Sequence, residues 1–99
     1  MNYRDLEKVR VIVKEATDLD IIYAYDDFVF PEHVAFMIQF NDDNANGLFC
    51  HFHKDCVGDD KNKIFQSLSL CCDQHKCKLE EKGTFHLEQK GEEFEIHFA

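Results

Sequence analysis

All five cysteines and three of the six histidines of this 99-residue chain fall into two short segments. These are Cys50-His51-Phe52-His53-Lys54-Asp55-Cys56 and Cys71-Cys72-Asp73-Gln74-His75-Lys76-Cys77. Thiolate and imidazole are the ligands of zinc, iron and copper sites, and thiols also carry redox chemistry. A metal-binding or redox protein built on the clusters at 50–56 and 71–77 is therefore one reading. The spacing speaks against it, because structural zinc sites draw their ligands from short-spaced pairs and no C-x2-C occurs here. Strand alternation also sends Cys50 to the face opposite His51 and His53. Cys71, Cys72 and His75 lie on or beside the apolar stripe of a helix, where a free cysteine behaves as a small hydrophobe. The expectation is core thiols and solvent-facing histidines, with the metal or redox reading as the alternative.

A second constellation sits at the C-terminus. Lys90-Gly91-Glu92-Glu93 suits a two-residue type II′ turn with Gly91 at the first central position. That turn pairs Phe85 with Phe98, Leu87 with Ile96 and Gln89 with Phe94, which places the apolar side chains on one face. The opposite face then sets His86 against His97 and Glu88 against Glu95. Two imidazoles and two carboxylates are a zinc-type donor set. Diagonal His86–Glu95 and Glu88–His97 contacts explain the same pattern without an ion, so no metal ligand is assigned. Histidines titrating near neutrality would also make this face sensitive to pH.

Nucleophilic catalysis finds no support. No cysteine is placed on a strained turn or a helix N-terminus, both serines (Ser67, Ser69) fall inside a predicted helix, and the four glycines form no phosphate loop. No catalytic or cofactor-binding residue is assigned, no cofactor is expected, and the protein is read as a non-enzyme.

Charge gives the clearest statement about partners. Twenty acidic residues against eleven basic ones give a net charge of −9. The acids fall as pairs at Asp26–Asp27, Asp42–Asp43, Asp59–Asp60, Glu80–Glu81 and Glu92–Glu93. Such a surface repels phosphate backbones and anionic lipid, so no direct nucleic-acid or membrane binding is expected. It suits a soluble partner with a basic face, or nothing more specific than solubility, whereas self-association would have to rest on an exposed strand edge or an aromatic patch.

The elements that carry these residues can be read from periodicity. Residues 2–16 suggest an amphipathic helix, with Asn2 as cap, Asp5 in the first turn, and Leu6, Val9, Val13 and Ala16 on one stripe. Strands follow at Ile21–Tyr25 and Phe28–Phe30, with Pro31, which cannot donate to a ladder, breaking or edging the pairing. His33–Phe40 alternates, with Val34, Phe36, Ile38 and Phe40 on one face. The loop Asn41–Gly47 leads to a return strand at Leu48–Lys54. A second helix opens after Gly58 with Asp59 or Asp60 as cap, carries Ile64, Leu68, Cys71 and His75 on its stripe, and ends near Gln74–Lys76. A short strand at Lys78–Glu81, turned by Lys82–Gly83, precedes the C-terminal hairpin.

The pattern gives one domain over 1–99: an α+β two-layer sandwich with an antiparallel sheet packed by two helices, in the order α-β-β-β-α-β-β. The element order and acidity are similar to those of small acidic secretion-chaperone-like domains, whose sheet binds or dimerises, although their usual third helix has no counterpart here. Phe36, Phe40, Phe52, Phe85, Phe94 and Phe98 belong to predicted buried faces. Tyr23, Tyr25, Phe28 and Phe30 are harder to hide together and form a candidate interface patch. No apolar run approaches the ~20 residues of a membrane span, Met1–Asp5 lacks a signal-peptide pattern, and the odd cysteine count fits a reducing cytoplasm. The function expected is a small acidic cytoplasmic interaction module, acting by binding, in a chaperone-like way, or as an inhibitor that mimics DNA.

Overall fold

The computed structural model describes residues 6–25, 27–41, 43 and 46–98. The expected Asn2 cap, and Asp5, Asp26 and Asp42, lie outside them. Among the described residues the fold is α+β: two helices and a six-stranded, mostly antiparallel sheet.

Helix α1 spans Leu6–Thr17. Its buried stripe is Val9, Ile12 and Val13 with Ala16 beside them, whereas Leu6 is exposed. The i, i+3, i+4 spacing of Val9, Ile12 and Val13 concentrates the apolar face better than Leu6 does. Four strands follow: β1 Ile21–Tyr25, β2 Phe28–Pro31, β3 Phe36–Phe40 and β4 Gly47–His53. The order thus contains one more strand before the second helix than the three expected. The strand predicted from His33 is also shorter, because Glu32–Val34 forms a 3-10 turn in which His33 and Val34 take φ of 64° and 39°.

Helix α2 spans Gly58–Gln74. Val57 occupies its N-cap without a side-chain hydrogen bond, so neither Asp59 nor Asp60 caps it. Both aspartates instead lie in the first turn, where they complement the positive end of the helix dipole. Strand β5 then runs unbroken through Lys78–Lys90, and β6 covers Glu93–Phe98. Lys82 is not a turn. Cys50 pairs with Glu81 and His51 with Gly83, so Lys82 is the extra residue of a β-bulge.

The strands lie in sequence order, β1 to β6. All neighbours are antiparallel except β4 and β5, which pair in parallel. The sheet is thus mostly antiparallel, as expected, with one parallel seam outside that expectation. A parallel pair needs a crossover, and α2 is that crossover.

Both helices pack on one face. Val9, Ile12, Val13, Leu68 and Cys72 meet Val29, Phe36, Ile38, Leu48, Cys50, Phe52 and Leu79 from the sheet. Val34, predicted on this face, packs instead in a second cluster on the opposite side, around Phe30, Met37 and Phe85. No residue of the described helices α1 and α2 packs in that second cluster. The ring of Phe98 in β6 lies 5.7 Å from that of Phe28 in β2. In a flat sheet those strands would be roughly 19 Å apart, so the sheet curls strongly toward its helix-free side. The curl covers Phe30, Met37 and Phe85 with the sheet's own aromatic side chains.

Candidate functional site

The helix-free face is built from alternate residues of every strand. Tyr23 and Tyr25 stand on β1, with rings stacked at 6.4 Å, and Tyr23 meets Phe30 at 5.9 Å. Phe28, His51 and Phe98 form a triangle with centroid separations of 6.0, 5.1 and 5.7 Å. The Lys82 ammonium sits 4.4 Å above the ring of Phe49 on β4. At the rims the aromatic residues are open to solvent: Tyr23 is 57% exposed, Tyr25 66%, Phe94 65% and Phe98 52%. For Phe94 and Phe98 this corrects the expectation of burial. They face the side of the hairpin that carries Phe85, but only the part of that side nearest the curl is covered. Phe36, Phe52 and Phe85 are fully buried as expected, and Phe40 packs against the main core. Of the predicted patch, Tyr23 and Tyr25 are exposed and Phe30 is buried.

His51 lies in the floor of this face, only 5% exposed, where a solvent-facing residue was expected. Its Nε2 is 2.9 Å from Gln39 Oε1, and Gln39 Nε2 donates to Asp27 Oδ2 at 2.9 Å. The amide is thus oriented by Asp27 with its oxygen toward the ring, so Nε2 carries the proton and Nδ1 is a bare acceptor. Nδ1 is buried without a hydrogen-bond partner. Burial, and then Lys82, push the imidazole pKa below its usual value, with Asp27 opposing, which keeps the ring neutral.

Among the described residues, the cysteines and histidines of segments 50–56 and 71–77 form no group of three converging donors. Cys50, Cys72 and Cys77 are buried and all five thiols are free. Burial pushes the Cys50 and Cys72 thiols far up, with Glu81 adding to the effect at Cys50 and Cys77 at Cys72. His75 Nε2 contacts Glu15 Oε1 at 3.1 Å and ties the end of α2 to α1. Cys56 borders an open cleft of about 590 Å³ shared with His33, His53, Asp55, Asp60 and Lys63. In that cleft His53 Nδ1 accepts the Asp55 backbone N–H at 3.1 Å. The Cys56 thiol is raised by burial and then by Asp60, the opposite of what a nucleophile needs.

The C-terminal hairpin has the predicted register, from Phe85 opposite Phe98 to Lys90 opposite Glu93. Gly91 has φ 65°, and Glu92 is not among the residues with positive φ, as a type II′ turn requires. On its outer face His86 and His97 stack at 4.9 Å. His97 Nε2 lies 2.9 Å from Glu88 Oε1 and 3.3 Å from Glu95 Oε1. Lys90 Nζ stands 3.9 and 3.7 Å from the same two carboxylates. Among the described residues, Glu88, Glu95 and His97 are the one group of three metal-type donors that converges. His51 and His53 do not join it.

Compared with known families, curated proteins and solved structures, the chain matches no family model, no curated protein and no solved structure.

Proposed function

We propose that this chain is a protein-interaction module whose contact surface is the helix-free face of the sheet. One observation carries the reading: both helices cover the same side, leaving Tyr23, Tyr25, Phe94 and Phe98 more than half exposed along the two rims of the other. Tyrosine and phenylalanine are enriched in interface cores because each buries a large area at little conformational cost. The β1 rim adds an edge strand bearing Ile22, itself 60% exposed, to which an extended segment can pair.

The partner that fits is a protein with an apolar patch rimmed by lysine and arginine, matching a chain of net charge −9. Chaperone-like binding, self-association through β1, and inhibition by imitation of DNA are narrower forms of this reading. Direct binding to nucleic acid or to an anionic membrane runs against the charge, and no described helix is long and apolar enough to cross a membrane. A reducing, cytoplasmic setting is supported by the five free thiols. The reading assigns no reaction to the chain and no resident cofactor.

The test compares the wild type with a Tyr23→Ser/Tyr25→Ser variant of unchanged circular dichroism. Self-association is followed by sedimentation, and capture of basic-rimmed proteins is followed at low and high salt. Binding that is lost in the variant and weakened by salt supports the reading. Binding equal in both proteins, or no association at all, refutes it.

A further inference from the structure

We propose that the outer face of the β5–β6 hairpin is a zinc-class divalent-metal site, with His97 Nε2 and one oxygen each from Glu88 and Glu95 as its ligands. It lies on the opposite side of the hairpin from the aromatic face and does not depend on the interaction reading.

The strand pairing brings the ligands together. Glu88 and Glu95 face each other directly, and His97 is diagonal to Glu88 and two residues from Glu95 on the same strand. All three side chains therefore leave the same face within mutual reach. The stacked ring of His86, inclined by only 10°, fixes the plane of His97. Zinc binds histidine nitrogen and carboxylate oxygen at about 2.0–2.2 Å, so the edge of a tetrahedral site is roughly 3.4 Å. The separations of His97 Nε2 from the two carboxylate oxygens, 2.9 and 3.3 Å, lie close to that edge. The three donor atoms all fall within 4.8 Å of one another.

A second observation sets this cluster apart from ordinary surface ion pairs. His97 Nε2 is sealed from solvent yet makes no hydrogen bond of acceptable geometry, although two oxygens stand at hydrogen-bonding distance. A nitrogen within reach of two carboxylate oxygens and hydrogen-bonded to neither can share a cation with both, and the 41% exposure of the His97 side chain leaves the ion a way in. Three protein ligands leave the fourth position to water. Lys90, near both carboxylates, is the competing cation that zinc would displace.

The experiment is a calorimetric titration of the purified chain with zinc, paired with cobalt(II) absorption spectroscopy. One zinc per chain is expected, with d–d bands of a nitrogen–oxygen site and no thiolate-to-cobalt charge-transfer band. Glu88→Gln/Glu95→Gln should weaken binding by about tenfold or more. Lys90→Met should tighten it, a change that a purely structural Glu–Lys–His network would not produce. Both carboxylates are half-exposed, and unchanged circular dichroism will show that the variants fold. Absence of saturable zinc binding, equal affinity in the double variant, or a thiolate band that places the metal on the cysteines would each overturn the proposal.

Discussion

Phe85 and Phe94 occupy the same face of the C-terminal hairpin, yet the curl of the sheet treats them oppositely, and alanine substitution of each turns that difference into a measurement. Phe85 has no exposed surface and packs with Phe30, Met37, Leu87 and Ile96, its ring edge-on to His53 at 5.5 Å. Phe85→Ala removes a whole ring from an enclosed space and should cost about 3–5 kcal/mol. Phe94 is 65% exposed, so only about a third of its ring is covered. Scaling the roughly 1.5–3 kcal/mol of a fully buried aromatic side chain by that third gives about 0.5–1 kcal/mol for Phe94→Ala. Urea unfolding followed by circular dichroism resolves the two, because a loss of 4 kcal/mol moves the midpoint by about 2 M at a typical slope. Equal losses at the two positions would refute the account of a sheet that curls over Phe85 and leaves Phe94 open. A Phe94→Ala loss that grows with protein concentration would show the ring covered by a second copy.

Two further outcomes follow from the buried titratable groups. His51 has its pKa lowered by burial, so the unfolded chain takes up a proton near pH 6.5 that the folded chain refuses. Its contribution to stability is complete above that pH and is lost as pH falls toward the folded value. The stability difference between wild type and His51→Phe should therefore shift against the wild type between about pH 7.5 and 5.5, and a pH-independent difference would contradict the assignment. With a chromogenic disulfide reagent at neutral pH, Cys56 and Cys71 should react first, while buried Cys50, Cys72 and Cys77 wait for unfolding. Rapid reaction of all five in the native protein would disprove that burial.

Local chemistry made the hairpin legible. Gly91 fixes the turn, the turn fixes the pairing, and the pairing alone places His86, Glu88, Glu95 and His97 on one face. The helices were legible from periodicity, although the stripe of α1 shifted to include Ile12 in place of Leu6. The parallel β4–β5 seam was not, because both strands look the same locally whichever direction a neighbour runs. Nor was the choice of face. Phe28-Val29-Phe30 and Phe36-Met37-Ile38 are apolar on both sides, so alternation alone does not say which side receives the helices. The same ambiguity hid His51, a polar residue in an alternating strand that reads as solvent-facing until the curl closes over it. Pro31 ends β2 while still pairing with Ile21 on β1, and the positive φ of His33 and Val34 carries no glycine to announce it.

The parallel seam has a consequence for how the chain finds its structure. β1 to β4 can zip together through short connections, and β5 with β6 through a two-residue turn, so each half is assembled from neighbours in sequence. Joining the halves must wait for the intervening helix to dock, since loop-closure entropy is spent before Leu48 meets Leu79. Folding speed should accordingly respond to residues of that junction, and a chain arrested before it would display two unsealed strand edges to its neighbours in solution.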